Sequence, residues 1–362
     1  MATKRDLRTK FTTVLWITAA WTIISMVQLT YEAAFLREYG LEYRWATSGN
    51  FMTYFKINSL AFVLNGFIGG VFIVFVLRNW IRNRSYTFGL LYGMTAYIVL
   101  FFALTCIQNY FVIDSIWDGK GSFFTAYVKG LEDYFFSYEF ARNFPFWFLV
   151  FTTTLITLFV NDKYGPGEFK KFLLGKYFHP KSEERIFMFL DLKGSTSIAE
   201  KLGERQYFHF LRKVYSDVTP VLLDTKAEVY QYVGDEIVVS WNLKNGLKDL
   251  NCIRCFQNIL QLLKNLEPLY LDQFKAIPEF KAGLHVGRAI IGEIGVIKRD
   301  IAYSGDVLNT TARIQSKCNE LGTSILISEN LVNCFPKEQL TFRSMGQVEL
   351  RGKSEALSLY SL

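Results

Sequence analysis

Blocks of like charge are missing from this chain. Its 40 Lys and Arg residues against 33 Asp and Glu give a formal net charge of +7. The basic residues are spread along the sequence, so nucleic acid is not an expected partner. The cysteines, Cys106, Cys252, Cys255, Cys318 and Cys334, are scattered. Cys252 and Cys255 form a lone Cys-x-x-Cys in a predicted helix, with no second pair to complete a zinc site. Buried thiols in a reducing compartment are therefore expected. Histidine is scarce, and His179 and His209 lack sequence partners that would make a metal site. Repeats and low-complexity tracts are also missing, which excludes a repetitive architecture.

Apolar residues are plentiful instead. The 362 residues are 51% hydrophobic and 17% aromatic, and the mean hydropathy of +0.16 is high for a soluble chain with this much charge. That balance implies a membrane part joined to a soluble part. Lys4, Arg5, Arg8 and Lys10 precede an apolar run from Phe11 to about Leu36, too long for a signal-peptide core and read as a retained anchor. Further spans fit Ile57–Leu77, Phe88–Val112 and Phe144–Val160, making an N-terminal all-α transmembrane bundle of four helices over residues 1–160. Arg78, Arg82 and Arg84 fill the tight second connection, and Lys163, Lys170, Lys171 and Lys176 follow the fourth span. The positive-inside rule then puts both termini on the cytoplasmic side of a cell membrane.

Within the second span, Gly66-x-x-x-Gly70 lets helices approach closely, either inside a bundle or between protomers. Glu32, near the outer end of the first span, reads as a carboxylate snorkelling to the interface. The aromatic stretch from Ile113 to Arg142 reads as an amphipathic helix on the outer leaflet or a pocket for an apolar ligand of the membrane domain. Residues 161–185 form the connection. Gly165-Pro166-Gly167 breaks the fourth helix, and Phe169, Phe172, Leu173 and Phe178 recur at helical spacing.

From residue 186 onward strand and helix patterns alternate, as in an α/β domain. Strands are predicted at 186–190, 279–286, 288–295 and 324–328, helices at 196–203, 205–223, 247–265 and 307–320, and a hairpin at 227–241. The apolar run Phe187–Leu190 ends on Asp191 and opens into Gly194-Ser195-Thr196. A second run, Val229–Val233, turns at Gly234-Asp235, a strong hairpin signal. If these strands pair, Asp191 and Asp235 converge on one edge of a sheet. Two carboxylates beside a small-residue turn suit divalent cations and a polyphosphate. In Gly305-Asp306-Val307-Leu308-Asn309-Thr310-Thr311-Ala312-Arg313 the pattern turns helical, with Asn309 and Arg313 on one face. An amide beside a guanidinium suits a phosphoryl transition state.

Four ordered motifs result: Phe-x-Asp-x-x-x-Ser-Thr, Val-Gly-Asp-Glu, Ala-Gly-Leu-His-Val-Gly at 282–287, and Gly-Asp-x-x-Asn-x-x-x-Arg. Together they resemble the class III nucleotidyl cyclase catalytic domain. The resemblance implies a ferredoxin-like α/β domain over 186–362 and conversion of a nucleoside triphosphate, ATP first, to a cyclic nucleotide. It implies a pair of Mg²⁺ or Mn²⁺ ions held by Asp191, Asp235 and the Leu192 carbonyl. Gly194, Ser195, Thr196 and Lys353 would bind phosphate, and Asn309 and Arg313 would act on ribose and transition state. Because the family splits these groups between protomers, it also implies a homodimer. The base-reading positions depart from the pattern: Gln231 and Ala302 stand where adenylyl cyclases commonly have Lys and Asp or Thr. Gln can both donate and accept, so a cyclase of another base stays open. A silent nucleotide-binding receptor also stays open, although such domains should lose the metal and transition-state groups first. A channel is disfavoured by the lack of charged clusters in the spans. Gly-Gly-Asp/Glu-Glu-Phe is missing, which excludes a diguanylate cyclase. His285 is expected to be structural and hydrogen-bonded.

Overall fold

The computed structural model describes residues 4–38, 51–81, 85–117, 119–165, 171, 174–297, 299–336, 341–349 and 356–362. The chain divides into two compact units, residues 1–170 and 171–362.

Unit one is helical. It comprises α1 (Lys4–Glu38), α2 (Phe51–Val71), α3 (Tyr86–Ile116), α4 (Phe123–Phe135) and α5 (Tyr138–Tyr164), with a π-helical turn Phe72–Leu77 and a short helix Arg78–Ile81 after α2. Four of these helices are long and apolar enough to cross a membrane, at Leu7–Glu32, Ser59–Leu77, Thr87–Phe111 and Tyr138–Lys163. The close-approach pattern on α2 works within the chain: a Cβ on Gly66 would lie 3.2 Å from the Thr18 backbone, and one on Gly70 3.3 Å from the Val14 carbonyl. Glu32 does not merely snorkel. It forms an ion pair with Arg142 of α5, which offsets the cost of a charge in an apolar setting. Of the aromatic stretch, Phe123–Phe135 folds as α4, between the end of α3 and the start of α5, whereas an apolar recess of about 640 Å³ lies at the π-helical turn, lined by Phe72, Phe75, Val76, Leu77, Trp80 and Ala96. The break after α5 falls at Gly165, with φ 93°. The predicted helix through Phe169, Phe172 and Leu173, and the side chains of Arg82 and Arg84, lie outside the described residues.

Unit two is built on an eight-stranded sheet. Its elements are β1 (Lys181–Leu192), α6 (Ser195–Leu202), α7 (Glu204–Asp224), β2 (Glu228–Val233), β3 (Glu236–Asn242), α8 (Asn251–Phe274), β4 (Phe280–Ile294), β5 (Asp300–Ser304), α9 (Asp306–Ser316), β6 (Ile325–Ser328), β7 (Arg343–Val348) and β8 (Leu357–Ser361). The strand order is β2-β3-β1-β4-β6-β8-β7, with β5 on β4. The expected strands at 279–286 and 288–295 are one strand. β4 continues through Gly287, paired with Arg185 of β1, because β1 supports it without a break from Phe280 to Ile291. Ile186, Met188 and Leu190 face α7 and α8, and burial there is nearly complete: Phe210, Val214 and Val218 meet Ile253, Phe256 and Ile259. Cys252 and Cys255 join this core, and burial pushes both thiols up to about 12. The other face, with Phe187, Phe189 and Val238, is covered by α9.

One charge enters this interior. Arg185, 1% exposed, donates to Glu183 at 3.0 Å, Glu228 at 2.7 Å and Ser240 at 3.0 Å, and lies 5.4 Å from the Tyr303 ring centre. Its Nε has no hydrogen-bond partner. The end of the connection joins this network. Lys171 reaches Glu228 at 3.1 Å, and the Tyr177 hydroxyl donates to Glu183 at 3.1 Å. Burial raises the pKa values of both carboxyls, but the Arg185 and lysine charges and hydrogen bonds outweigh it, so both lie below the usual range.

Removing Arg185 would leave two half-buried carboxylates without their main partner. Arg185→Leu should destabilise unit two by about 3 kcal/mol, read as faster hydrogen exchange in β1 and β2. Because the folded pKa values of Glu183 and Glu228 are depressed, their contribution is present above the unfolded value of about 4.3 and is lost as pH falls through the folded values. Wild-type protection should therefore fall in acid more steeply than that of the variant. Equal pH profiles would show that the network does not stabilise the sheet.

Candidate active site

β1 ends on Asp191, and its two neighbours fix what surrounds that carboxylate. Across β3 the register partner is Glu236, and across β4 it is Lys281. Gly234 and Asp235 form the two-residue loop between β2 and β3. Gly234 takes φ 60° and Asp235 has no positive φ, so the left-handed residue comes first, as in the II′ hairpin turn. Asp235 thus sits one residue beyond Glu236, at the same end of the sheet as Asp191. The crowding is visible electrostatically: burial, then the charges of Asp191 and Asp235, push Glu236 up to about 7.

Past Leu192 the chain makes a left-handed step at Gly194, φ 64°, and enters α6 at Ser195. Gly194, Ser195 and Thr196 therefore form a helix N-terminus immediately after Asp191, where the first amides of the helix have no intrahelical acceptor. That arrangement favours anionic oxygen. Burial, followed by the Asp235 charge, raises the pKa of Tyr207 on α7. Farther along α7, Tyr215 donates to the Gly234 carbonyl at 2.7 Å and packs on Tyr232 with ring centres 4.8 Å apart. α7 thus holds the hairpin turn.

Sequence reading missed Lys281 and Gln315. Lys281 Nζ lies 3.0 Å from Asp191 Oδ2, and Gln315 of α9 donates to the same oxygen at 3.0 Å. Neither falls within a motif turn; each reaches Asp191 through strand register or helix packing. Asn309 and Arg313 share one face of α9, Asn309 exposed and Arg313 half-buried. Val307, Thr310, Thr311, Ile314 and Gln315 are buried on the helix.

Strict alternation along β2 would put Gln231 on one face with Val229 and Val233. A bulge between Val229 and Gln231 separates them: Val229 pairs with Val239 and Gln231 with Val238, so Gln231 shares a face with Val233 only. Tyr230, the extra residue, packs on Tyr303 of β5 with ring centres 4.6 Å apart. That contact brings the neighbourhoods of Gln231 and Ala302 together. Gln231 itself is exposed and Ala302 half-buried. His285 shares a hydrogen bond with Ser328 Oγ at 2.7 Å, the structural role expected of it. Lys353 lies outside the described residues.

Asp191 and Asp235 offer hard carboxylate oxygens, and Asp191 already holds a cationic side chain, so the donor set fits a divalent cation. Among the described residues no group of three or more His, Cys, Asp or Glu side chains is placed to hold a metal ion by itself. Further ligands would have to come from backbone or a bound phosphate.

A family model described as the adenylate and guanylate cyclase catalytic domain matches residues 179–362. The chain is 34% identical over 209 residues to adenylate cyclase 2 of Rhizobium meliloti (strain 1021), covering 58% of each chain. It is 26% identical over 187 residues to adenylate cyclase 1 of the same organism, covering 50% of this chain and 27% of the relative. The chain thus spans 58% and 27% of the lengths of these relatives. In fold it is similar to a bacterial light-regulated adenylyl cyclase, with a TM-score of 0.50 and 23% identity over 59% of this chain and 63% of that one.

The Tyr215 hydroxyl is a local anchor that tests the described geometry. Tyr215→Phe keeps the ring contact with Tyr232 and removes the donor to Gly234. It should cost about 1 kcal/mol and raise hydrogen exchange at the β2–β3 turn. Unchanged exchange there would mean that the turn is held by its own backbone alone.

Proposed function

Because this chain belongs to the adenylate and guanylate cyclase catalytic-domain family through residues 179–362, we propose that it converts ATP to 3′,5′-cyclic AMP and pyrophosphate. The 3′-hydroxyl oxygen bonds to the α-phosphorus while the bond from that phosphorus to the α–β bridging oxygen breaks; pyrophosphate departs with that oxygen, and the hydroxyl proton passes to solvent. The observation that carries this reading is the placement of Asp191 and Asp235 at one end of paired strands, beside the N-terminus of α6. The two relatives named adenylate cyclases support ATP as the nucleotide.

Asp191, Asp235 and the Leu192 carbonyl would hold the divalent ions, Mg²⁺ or Mn²⁺. When bound, such ions supply Lewis acidity toward the hydroxyl and neutralise phosphate charge. Gly194, Ser195 and Thr196 would receive phosphate on backbone amides, with Lys353 as a further cation. Asn309 would orient the ribose, and Arg313 would meet charge that grows on the α-phosphate. Gln231 would read the base with Ala302 beside it. One adaptable amide discriminates less than a fixed set of partners. Burial of Gln315, Thr311 and Ile314 puts Asn309 and Arg313 on the outward side of α9. They are therefore proposed to serve the site of a second copy, in a homodimer. The four apolar helices would anchor this dimer in a cell membrane, with the catalytic unit cytoplasmic because Arg78 and Lys163 flank the spans on that side.

Purified chain incubated with each of the four nucleoside triphosphates and Mn²⁺ or Mg²⁺, with products identified by mass spectrometry, tests the reaction directly. Cyclic AMP should dominate, with turnover of GTP about 10–100-fold lower. Asp191→Ala and Asp235→Ala should each lower kcat by about 10²-fold or more. Near-wild-type turnover in either would remove that carboxylate from the site.

The shared site has its own test. Asp191→Ala and Asn309→Ala chains should each be inactive, and co-expressed chains should regain part of the activity through one repaired site. Heterodimers that form without activity would show that each chain carries a complete site.

A further inference from the structure

Gln315 is 6% exposed, and a buried amide of this kind needs a partner. Its partner is Asp191: Nε2 donates to Oδ2 at 3.0 Å. The Lys281 ammonium lies 3.0 Å from the same oxygen. Both side-chain contacts of Asp191 thus fall on Oδ2, which leaves Oδ1 as the oxygen open to another ligand. The two partners come from different elements, Lys281 from β4 and Gln315 from α9. A lone ammonium leaves a carboxylate broad freedom about its last torsion. A second donor on another element restricts that rotation.

The backbone of Gln315 is itself held in place. A Cβ on Gly283 would come within 2.4 Å of Gln315 N and 2.7 Å of its Cα, so α9 rests directly on β4 at this residue. Gly283 pairs with Phe189 of β1, two residues before Asp191. One turn on, the Cys318 thiol meets the Ala282 carbonyl at 3.4 Å. The amide therefore reaches Asp191 from a backbone that cannot drift without lifting the helix.

We propose that Gln315 is a positioning residue, which turns Asp191 Oδ2 toward the protein and presents Oδ1 to the bound divalent cation. The role assigned to the cation rests on the cyclase reading above. Hydrogen bonds behind a ligating carboxylate fix its orientation, and losing them costs metal affinity. Because Asn309 and Arg313 ride on the same helix, Gln315 also ties the seat of that helix to the cation site.

The test uses the full chain in detergent micelles, as wild type, Gln315→Met (similar length, no donor) and Gln315→Glu (same shape, acceptor only). Mn²⁺ binding is followed by electron paramagnetic resonance with a non-cyclisable ATP analogue present. The Mn²⁺ activation constant, the KM for ATP and hydrogen exchange in β1 are measured beside it. Both variants should bind Mn²⁺ about 10–100-fold more weakly and need correspondingly more for activity, with KM for ATP at saturating Mn²⁺ within about twofold. Exchange in β1 should be unchanged. Mn²⁺ binding within about twofold of wild type in both variants would overturn the proposal. So would loosened exchange in both, which would make Gln315 a core residue, or wild-type Mn²⁺ binding that survives Asp191→Asn. If only Gln315→Met loosens β1, the Gln315→Glu chain decides by the same criterion. Asp191-dependent Mn²⁺ binding, weakened in the variants, in a chain that forms no cyclic nucleotide would refute the cyclase reading and leave the role of Gln315 standing.

Discussion

β1 is hydrogen-bonded along both edges, to β3 and to β4, and the site depends on that double pairing. A strand held on one side can slip; a slip of one residue would turn every side chain to the opposite face. Here such a slip would exchange Ile186, Met188 and Leu190 with Arg185, Phe187 and Phe189, the residues of the face under α9, and would drive the Arg185 charge into the core beneath α7 and α8. The same register sets Asp191 between Glu236 and Lys281. The hydrophobic core under α7 and α8 thus aligns the polar end of the strand, although none of its side chains touches the chemistry. Precision at Asp191 follows from burial a few residues away.

Charge on the opposite face is handled differently. Arg185 is as buried as the core residues, yet it is paired with Glu183 and Glu228 and stacked on Tyr303. Buried ion pairs add little net stability, but losing one partner is costly. Their effect is to make local alternatives expensive: β1, β2, β5 and the end of the connection at Lys171 and Tyr177 share this one cation directly or through its carboxylates. Tyr303 then packs on Tyr230, the residue that the β2 bulge leaves unpaired. A displacement at Lys171 or Tyr177 would be felt at Glu228 and Glu183 before it could be absorbed elsewhere.

Motif spacing and period-two patterning were enough to locate Asp191, Asp235, the hairpin turn and α9, because those signals are local: a glycine with positive φ, an apolar run, a helix start. The apolar spans were legible for the same reason, since length and hydropathy alone define them. What escaped was set by partners distant in sequence. Lys281 and Gln315 reach Asp191 across 90 and 124 positions, and nothing adjacent to either marks it. The Glu32–Arg142 pair spans 110 positions. The bulge at Tyr230 is invisible in an alternating sequence, and the ring it leaves unpaired packs on Tyr303, a residue distant in the chain. Gly287 read as a break between strands. In the fold it is the position where Val307 packs close, since a Cβ there would lie 3.0 Å from that side chain.

The two faces of α9 bear on the proposed sharing of the site between two copies. At about 100° per residue, Asn309 and Arg313 lie roughly 240° and 200° around the helix from Gln315. Gln315 points at Asp191, and Gly283 prevents the helix from rolling, because its backbone already rests on β4. Asn309 and Arg313 therefore cannot turn toward Asp191 of their own chain without unseating Val307, Ile314 and Gln315 together. Loss of two buried aliphatic side chains and one buried hydrogen bond would cost several kcal/mol, on the order of the whole stability margin of a domain. Supplying the pair to a second copy requires no such rearrangement. In the proposed homodimer, the packing of α9 on β4 that seats Gln315 against Asp191 in one chain would also present Asn309 and Arg313 to the other.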